Sequence, residues 1–383
     1  MKTLKLIGNA FYDLIIRLLP QFKKKEGFAF LVHPRDTKDV IRKYPFLKKL
    51  SKKTIEKILR YFWPVTVSEI YGVKSKKTGK YIKGWTISCP LTAEQMLEDR
   101  ELAKKFIIKT AKLAERKGAS LLGLGALTAS LTRGGLDIAD HTNCKITTGK
   151  LFTAKIVTDT LINISNELNL DKKNVLVSVV GAVGSIGSAS AQILAKKGYN
   201  KINLIDLSDK KEKIKKLSSL LKKINPEMET IESTDLNLLI NSDLIIAATN
   251  RPEALIRSEN LKPGAVVVDD AQPTDVDMEV VSSRKDILIL EGGAANSPII
   301  NPNFKFGLRN KGDIFSCLAE VIILSYSEME TMYKIGEVEE VNFETLDKLA
   351  SLAEELNLTT AKFQNSIKTY SLEEINFVKN KLQ

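Results

Sequence analysis

Cys317 stands in Gly312-Asp-Ile-Phe-Ser-Cys-Leu-Ala-Glu320, where a turn runs directly into a helix continuing from Val321 to Met332. A thiol at a helix N-terminus meets unpaired N–H groups and the positive end of the dipole, which favours the thiolate and so nucleophilic attack. The plainer reading of any single cysteine is an inert, buried one. Cys89, just before Pro90, and Cys144, near His141, have no comparable setting. A second group is Thr147-Thr148-Gly149-Lys150, which opens a helix reaching about Leu168. Its hydroxyls cap that helix, or bind an anion or carbonyl oxygen together with Lys150.

A third group is Gly181-Ala182-Val183-Gly184-Ser185-Ile186-Gly187, which follows the β-branched run from Val175 and precedes an Ala/Ile/Leu segment with helical spacing. Strand, tight turn and helix in that order bind a dinucleotide: the glycines let the backbone approach a pyrophosphate, and the helix start faces its charge. The spacing is G-x-x-G-x-x-G rather than the commoner G-x-G-x-x-G, so the flanking context carries the assignment. Asp206 ends the next strand, 19 positions after Gly187. A carboxylate there accepts from ribose hydroxyls and repels a 2′-phosphate, which favours NADH over NADPH, while Lys210 and Lys211 partly offset it. Further apolar runs end at Thr249, Asp269 and Glu291. These suit strands buried on both faces, and Thr249 and Asp269, at strand ends, join the cofactor-binding set.

These groups need two frameworks to hold them. The reading is an α/β chain: an N-terminal α/β substrate domain, then a doubly wound Rossmann nucleotide-binding domain, with C-terminal helices packing back. Its divisions are 1–26, an amphipathic helix and basic linker; 27–170, the acyl or substrate domain; 171–312, the nucleotide domain; and 313–383, the C-terminal helices with Cys317. In the first α/β domain, strands are expected at Gly27–His33, Pro64–Tyr71, Tyr81–Ser88 and Ser120–Gly125. One long helix is expected from Thr92 to about Lys117, a Gly/Thr/Ser loop through Ser130, and a flexible loop over Gly292–Asn296.

At 383 residues the chain can bury two cores. Its net charge of +12 is scattered, which fits a solvated surface or an acidic partner such as a carrier protein or an anionic membrane. Neither zinc-finger spacing nor an aromatic-interleaved basic strand occurs, so nucleic acid is not expected. Three widely spaced cysteines make no disulfide framework, which places the chain in a reducing cytoplasm, and no ligand cluster suggests a metal. Residues 2–19 form an amphipathic helix stopped by Pro20, with Lys5, Asn9, Asp13 and Arg17 on one stripe and Lys23, Lys24 and Lys25 following. Two readings stand: peripheral contact with the inner membrane surface through residues 2–25, or packing on its own domain or a second subunit. The latter allows a homo-oligomer.

Taken together, several stretches resemble the cyanobacterial-type long-chain acyl-[acyl-carrier-protein] reductases, in the same order from about Phe28 to about Met329. They are Val73–Gly84, Ser88–Leu97, Thr147-Thr148-Gly149 with Thr153-Ala154, Gly181–Ala189, Val268-Asp269 with Pro273 and Asp277, Ile289–Gly293 and Ile314–Leu324. The resemblance implies a nicotinamide cofactor, a long-chain acyl thioester delivered by acyl carrier protein or coenzyme A, and a fatty aldehyde product. It makes Cys317 the acylated nucleophile, with oxyanion donors among Thr147, Thr148, Lys150 and the backbone N–H groups at the start of the Cys317 helix. Asp206 and the first helix depart from the family pattern.

Two rival readings remain. A dehydrogenase of the shikimate, amino-acid or hydroxy-acid kind would not need Cys317 and would move protons with Lys150 or Asp137; His33 and His141 offer few alternatives. A non-enzymatic protein that binds the dinucleotide and a membrane or carrier is the other.

Overall fold

The computed structural model describes residues 2–17, 26–251, 253–329 and 340–382, with side chains from residue 8 onward. Pro20, the run Lys23–Lys25 and Met332 therefore lie outside the described residues. The chain divides into two compact units: Met1–Gly149 with Pro298–Phe306 and Cys317–Gly336, and Lys150–Ser297 with Gly307–Ser316 and Glu337–Gln383.

The first unit is built on a sheet of order β2-β3-β1-β4-β5. Its strands are β1 (Gly27–Val32), β2 (Val65–Ile70), β3 (Gly84–Ser88), β4 (Ala119–Leu124) and β5 (Lys145–Thr147). All neighbours are parallel except β2, which returns antiparallel along β3 from a hairpin. Strand β1 lies in the middle, and its uninterrupted Phe-Ala-Phe-Leu run is fully buried, as a strand covered on both faces requires. The expected long helix is two: Ala93–Glu98 and Arg100–Lys117. Asp99 leaves helical geometry, and its carboxylate accepts the Leu102 N–H, so a capping residue inside an apolar periodicity starts a new helix. The stretch expected as a loop through Ser130 contains one helical turn, Leu127–Ser130.

The first helix, Lys2–Ile16, packs on this unit through Ala10, Asp13 and Ile16. Asp13 is buried; it accepts from the Thr66 N–H at 2.6 Å and pairs with Lys117 Nζ at 2.9 Å. Trp63 Nε1 donates to the Ala10 carbonyl at 2.7 Å, and Ile16 packs against the core.

The second unit holds a six-stranded sheet of order β11-β10-β9-β6-β7-β8, parallel throughout. The strands are β6 (Leu176–Val180), β7 (Lys201–Ile205), β8 (Glu229–Ser233), β9 (Leu244–Ala247), β10 (Val266–Asp269) and β11 (Leu288–Glu291). In sequence order this reads 6-5-4-1-2-3 across the sheet, the doubly wound arrangement in which ligands bind outside the carboxyl ends where β6 and β9 diverge. Strand β8 was not foreseen. It is the edge strand, half-exposed and polar, so it has no apolar run to announce it.

The boundary falls at Gly149, not near residue 170. Helix Lys150–Glu167 buries Val157, Leu161 and Ile164 in the same core as Val177, Val179 and Leu204. Helices Phe343–Glu355 and Leu372–Leu382 follow the sheet, and the second adds Ile375 and Val378 to that core. In place of the flexible loop at 292–296, β12 (Ala294–Asn296) pairs antiparallel with β13 (Asp313–Phe315) and β14 (Thr359–Thr360). No helix among the described residues is long and apolar enough to cross a membrane.

Candidate active site and cofactor cradle

Cys317 is the second residue of helix Ser316–Ser327 and is half-buried, whereas Cys89 and Cys144 are fully enclosed. Burial pushes the Cys89 thiol up to about 12, and Cys144 Sγ donates to the Ala119 carbonyl. Of the three thiols, Cys317 alone combines access with a helix N-terminus.

The Thr147-Thr148-Gly149 turn lies directly on Cys317. Gly149 has φ +70°, and a Cβ built there would stand 2.5 Å from Cys317 Cβ and 2.8 Å from its carbonyl oxygen. Only glycine permits that approach. The turn is held from below by Glu320, one helical turn beyond Cys317 and fully buried. Thr147 Oγ1 donates to Glu320 Oε1 at 2.6 Å and accepts the Gly149 N–H at 3.2 Å. Thr148 Oγ1, next in the turn, is buried with no hydrogen-bond partner. An orphaned hydroxyl beside the half-buried thiol is available to donate to an oxygen bound there. Lys150 belongs to the other unit, where it opens helix Lys150–Glu167.

In the nucleotide-binding unit, Gly181 ends β6 with φ +77°, and a Cβ on it would lie 2.6 Å from the Ala248 carbonyl at the end of β9. Gly184 begins helix Ser185–Lys196 with no side chain capping it, which leaves the N–H groups of Ser185, Ile186 and Gly187 at the mouth of the crevice. Ala182 is buried, and its N–H donates to the Ile205 carbonyl. Val183 N–H donates to Asp206 Oδ2 at 3.0 Å, tying the glycine turn to β7. Asp206 Oδ1 pairs with Lys210 Nζ at 2.9 Å, so the carboxylate at the end of β7 carries its counter-charge with it. A turn with glycine at both ends at the switch point, an uncapped helix start and an acid at the end of the second strand fit a dinucleotide.

The two outer residues serve the cradle indirectly. Thr249 donates its N–H and Oγ1 to Asp275, and Asp269 accepts the Ala271 and Val276 N–H groups at 2.9 and 3.0 Å. Both side chains thus fix the turns after β9 and β10. Burial, then the Asp275 carboxylate, push Asp269 up to about 7, and burial raises Asp270 well above the usual range. Asp275 and Glu320 were missed as site-building residues, because each acts through a partner far away in the chain.

Three further candidates lie in the first unit. His33 is half-buried, with Nδ1 at 2.9 Å from the Pro34 carbonyl and Nε2 at 3.4 Å from the Leu127 N–H, and burial lowers its pKa. His141 is exposed. Asp137 is held by Arg133 and Lys104, and the Arg133 hydrogen bond lowers its pKa.

The second unit is an NAD(P)-binding Rossmann domain of the dehydrogenase type: residues 163–289 match the family described as shikimate/quinate 5-dehydrogenase. Over a longer stretch, the chain is 26% identical across 350 residues to the aminotransferase PigE of Serratia sp. (strain ATCC 39006), covering 86% of this chain. It spans about two-fifths of that relative's length, 41%. Among solved structures, the nucleotide-binding domain of glutamyl-tRNA reductase from Thermoplasma volcanium is 19% identical, with TM-score 0.25, covering 36% of this chain and 84% of that one. The NAD-dependent malic enzyme of Thermotoga maritima is 11% identical with TM-score 0.41, covering 94% and 84%. At these scores the superpositions add nothing to the sheet order described above.

Proposed function

We propose that this NAD(P)-dependent oxidoreductase reduces a long-chain acyl thioester, carried by acyl carrier protein or coenzyme A, to the fatty aldehyde through an acyl group held on Cys317. The observation that supports this is the half-buried thiol at a helix start, packed against a glycine that cannot be replaced and beside an unpartnered hydroxyl. Cys317 thiolate attacks the acyl carbonyl, a new C–S bond forms, and the bond to the carrier sulfur breaks as that sulfur leaves and takes a proton. Thr148 Oγ1 is the donor this chain offers to the oxyanion; at the start of the Cys317 helix the Ser316 N–H is taken by the Gly293 carbonyl. Residues 181–187 and Asp206 hold the nicotinamide cofactor, which supplies a hydride when bound. Collapse of the resulting oxyanion breaks the bond to Cys317, releases aldehyde and restores the thiolate. Asp206 favours NADH, and its pairing with Lys210 narrows the preference. The net charge of +12 suits an acidic carrier protein.

A second reading, favoured by the family match at 163–289, is a shikimate- or amino-acid-type dehydrogenase acting on a small substrate without covalent catalysis. Asp137, ionised and bound by two cations, is poorly suited to proton transfer there, which leaves Lys150.

Intact-mass spectrometry after incubation with a long-chain acyl thioester separates the two. Wild type gains one acyl mass, Cys317→Ser gains none, and NADH or NADPH discharges the adduct as aldehyde. If no adduct forms, or if Cys317→Ser acquires it equally, Cys317 is a packing residue and the small-substrate reading takes its place.

A further inference from the structure

The first helix is docked in a way its sequence does not announce. Its one acid, Asp13, points inward and is neutralised by Lys117. Phe11, Tyr12 and Ile15 are left 54%, 51% and 53% exposed on the opposite side. Amphipathic helices in soluble domains bury this kind of face and expose the polar one.

The apolar surface does not stop at the helix. Trp63 lies 6.0 Å from the Phe11 ring, and Phe62 stacks on Trp63 at 4.2 Å. Next to them, helix Lys52–Tyr61 ends in Tyr61, 82% exposed, with Ile58 one turn earlier at 40%. Aromatic rings with one wet edge are the side chains that settle at the headgroup level of a bilayer.

The charge around this surface is basic. Arg17 at the end of the first helix is close enough to Arg116 for the two to repel, and the Lys117 ammonium sits 5.4 Å from the Tyr12 ring centre. Lys53 and Lys57 are exposed on the neighbouring helix. The acids nearby share two cations, Glu56 and Glu94 on Lys52 and Glu98 and Asp99 on Arg60, so with Lys53 and Lys57 that helix is balanced and the excess positive charge is that of Arg17 and Arg116.

We infer that the face formed by Phe11, Tyr12 and Ile15, flanked by Arg17 and Arg116, docks on an anionic phospholipid surface. The aromatic and aliphatic side chains enter the headgroup boundary and the cations meet lipid phosphates. Charge decides against a second copy of this chain. A two-fold contact through this face sets the same basic patch on both sides of the seam, Arg17 and Arg116 opposing their own equivalents.

The test is co-sedimentation of the full chain with vesicles of phosphatidylcholine containing about a third phosphatidylglycerol, compared with phosphatidylcholine alone. Wild type is expected to bind the anionic vesicles and to release them as salt is raised. The variant Phe11→Ser/Tyr12→Ser/Ile15→Ser should bind roughly tenfold more weakly while keeping its circular dichroism and melting temperature, since all three side chains are half-exposed. Failure of wild type to bind anionic vesicles overturns the inference, as does equal binding by the triple variant. A wild-type dimer that the same triple substitution dissociates, without any vesicle binding, assigns the face to a second copy and also overturns it.

Discussion

Thr147 Oγ1 donates a 2.6 Å hydrogen bond to Glu320 Oε1, joining residues 173 positions apart. Through it, the carboxylate one helical turn beyond Cys317 sets the height of the turn that packs on the Cys317 backbone and Cβ. Glu320 is a positioning residue: it works on Thr147, which in turn accepts the Gly149 N–H. Glu320→Ala leaves a buried hydroxyl without its acceptor, at a cost of about 1–3 kcal/mol. Aldehyde formation is expected to fall at least about tenfold in kcat with little change in KM, and Glu320→Gln, which keeps an acceptor oxygen, to recover much of it. Steady-state kinetics beside thermal melts check this; a loss of stability with kcat intact would restrict Glu320 to folding.

Thiol labelling follows from the burial of the three cysteines. Native protein treated with iodoacetamide near pH 8 is expected to take one label, at Cys317, and unfolded protein three. Peptide mapping reads the position. Rapid native labelling of Cys89, whose thiol burial holds near 12, would contradict the enclosed setting described for it.

Asp269 gives stability a pH dependence of definite sign. Its pKa rises from the ordinary carboxyl value in the unfolded chain to about 7 in the fold. Across that window the folded state binds a proton the unfolded chain has released, so this contribution is complete below about pH 4 and lost as pH climbs through about 7. The urea midpoint of wild type should therefore decline between pH 5 and 7.5, at no more than about 1.4 kcal/mol per pH unit from this group. Asp269→Asn also weakens one of two accepted N–H bonds, so the slope is the informative quantity; it should flatten.

The proposed cofactor site makes Asp206 and Lys210 the pair on which NADH or NADPH choice is to be tested. Removing the carboxylate in Asp206→Ala frees the Lys210 ammonium and should raise the NADPH-to-NADH ratio of kcat/KM by roughly tenfold. Lys210→Ala should move the ratio toward NADH. An unchanged ratio in both variants would place the 2′-position away from this pair.

The nucleotide-binding sheet was legible because most of its strands are buried on both faces: β9, β10 and β11 read as apolar runs, and β6 and β7 carry only a buried Ser178 and Asn203 inside theirs. Strand β8 escaped notice because an edge strand with an exposed face keeps its glutamates and threonine. The division of the chain was misplaced for a related reason. Helix Lys150–Glu167 follows the Thr-Thr-Gly turn without punctuation, and only its packing shows that Leu161 and Ile164 belong with the second core. At the candidate site, Cys317, Thr148 and the glycines are local signals. The Thr147–Glu320 and Thr249–Asp275 pairs are contacts between distant segments, and one sequence carries no mark of them. The first helix packs on its own domain, one of the readings its sequence allows, but the burial of Asp13 against Lys117 is again a contact between distant segments.

The core shared by helix Lys150–Glu167 and Val378 has a consequence for biosynthesis. A ribosome that has delivered the glycine turn still holds more than half of that core inside or behind its exit tunnel, and Ile375 and Val378 come more than 80 residues after Leu290, the core member before them. The nucleotide-binding unit therefore waits, partly exposed, for helix Leu372–Leu382, and nascent chains stalled before residue 372 should depend on chaperones in a way that chains with this helix free of the ribosome do not.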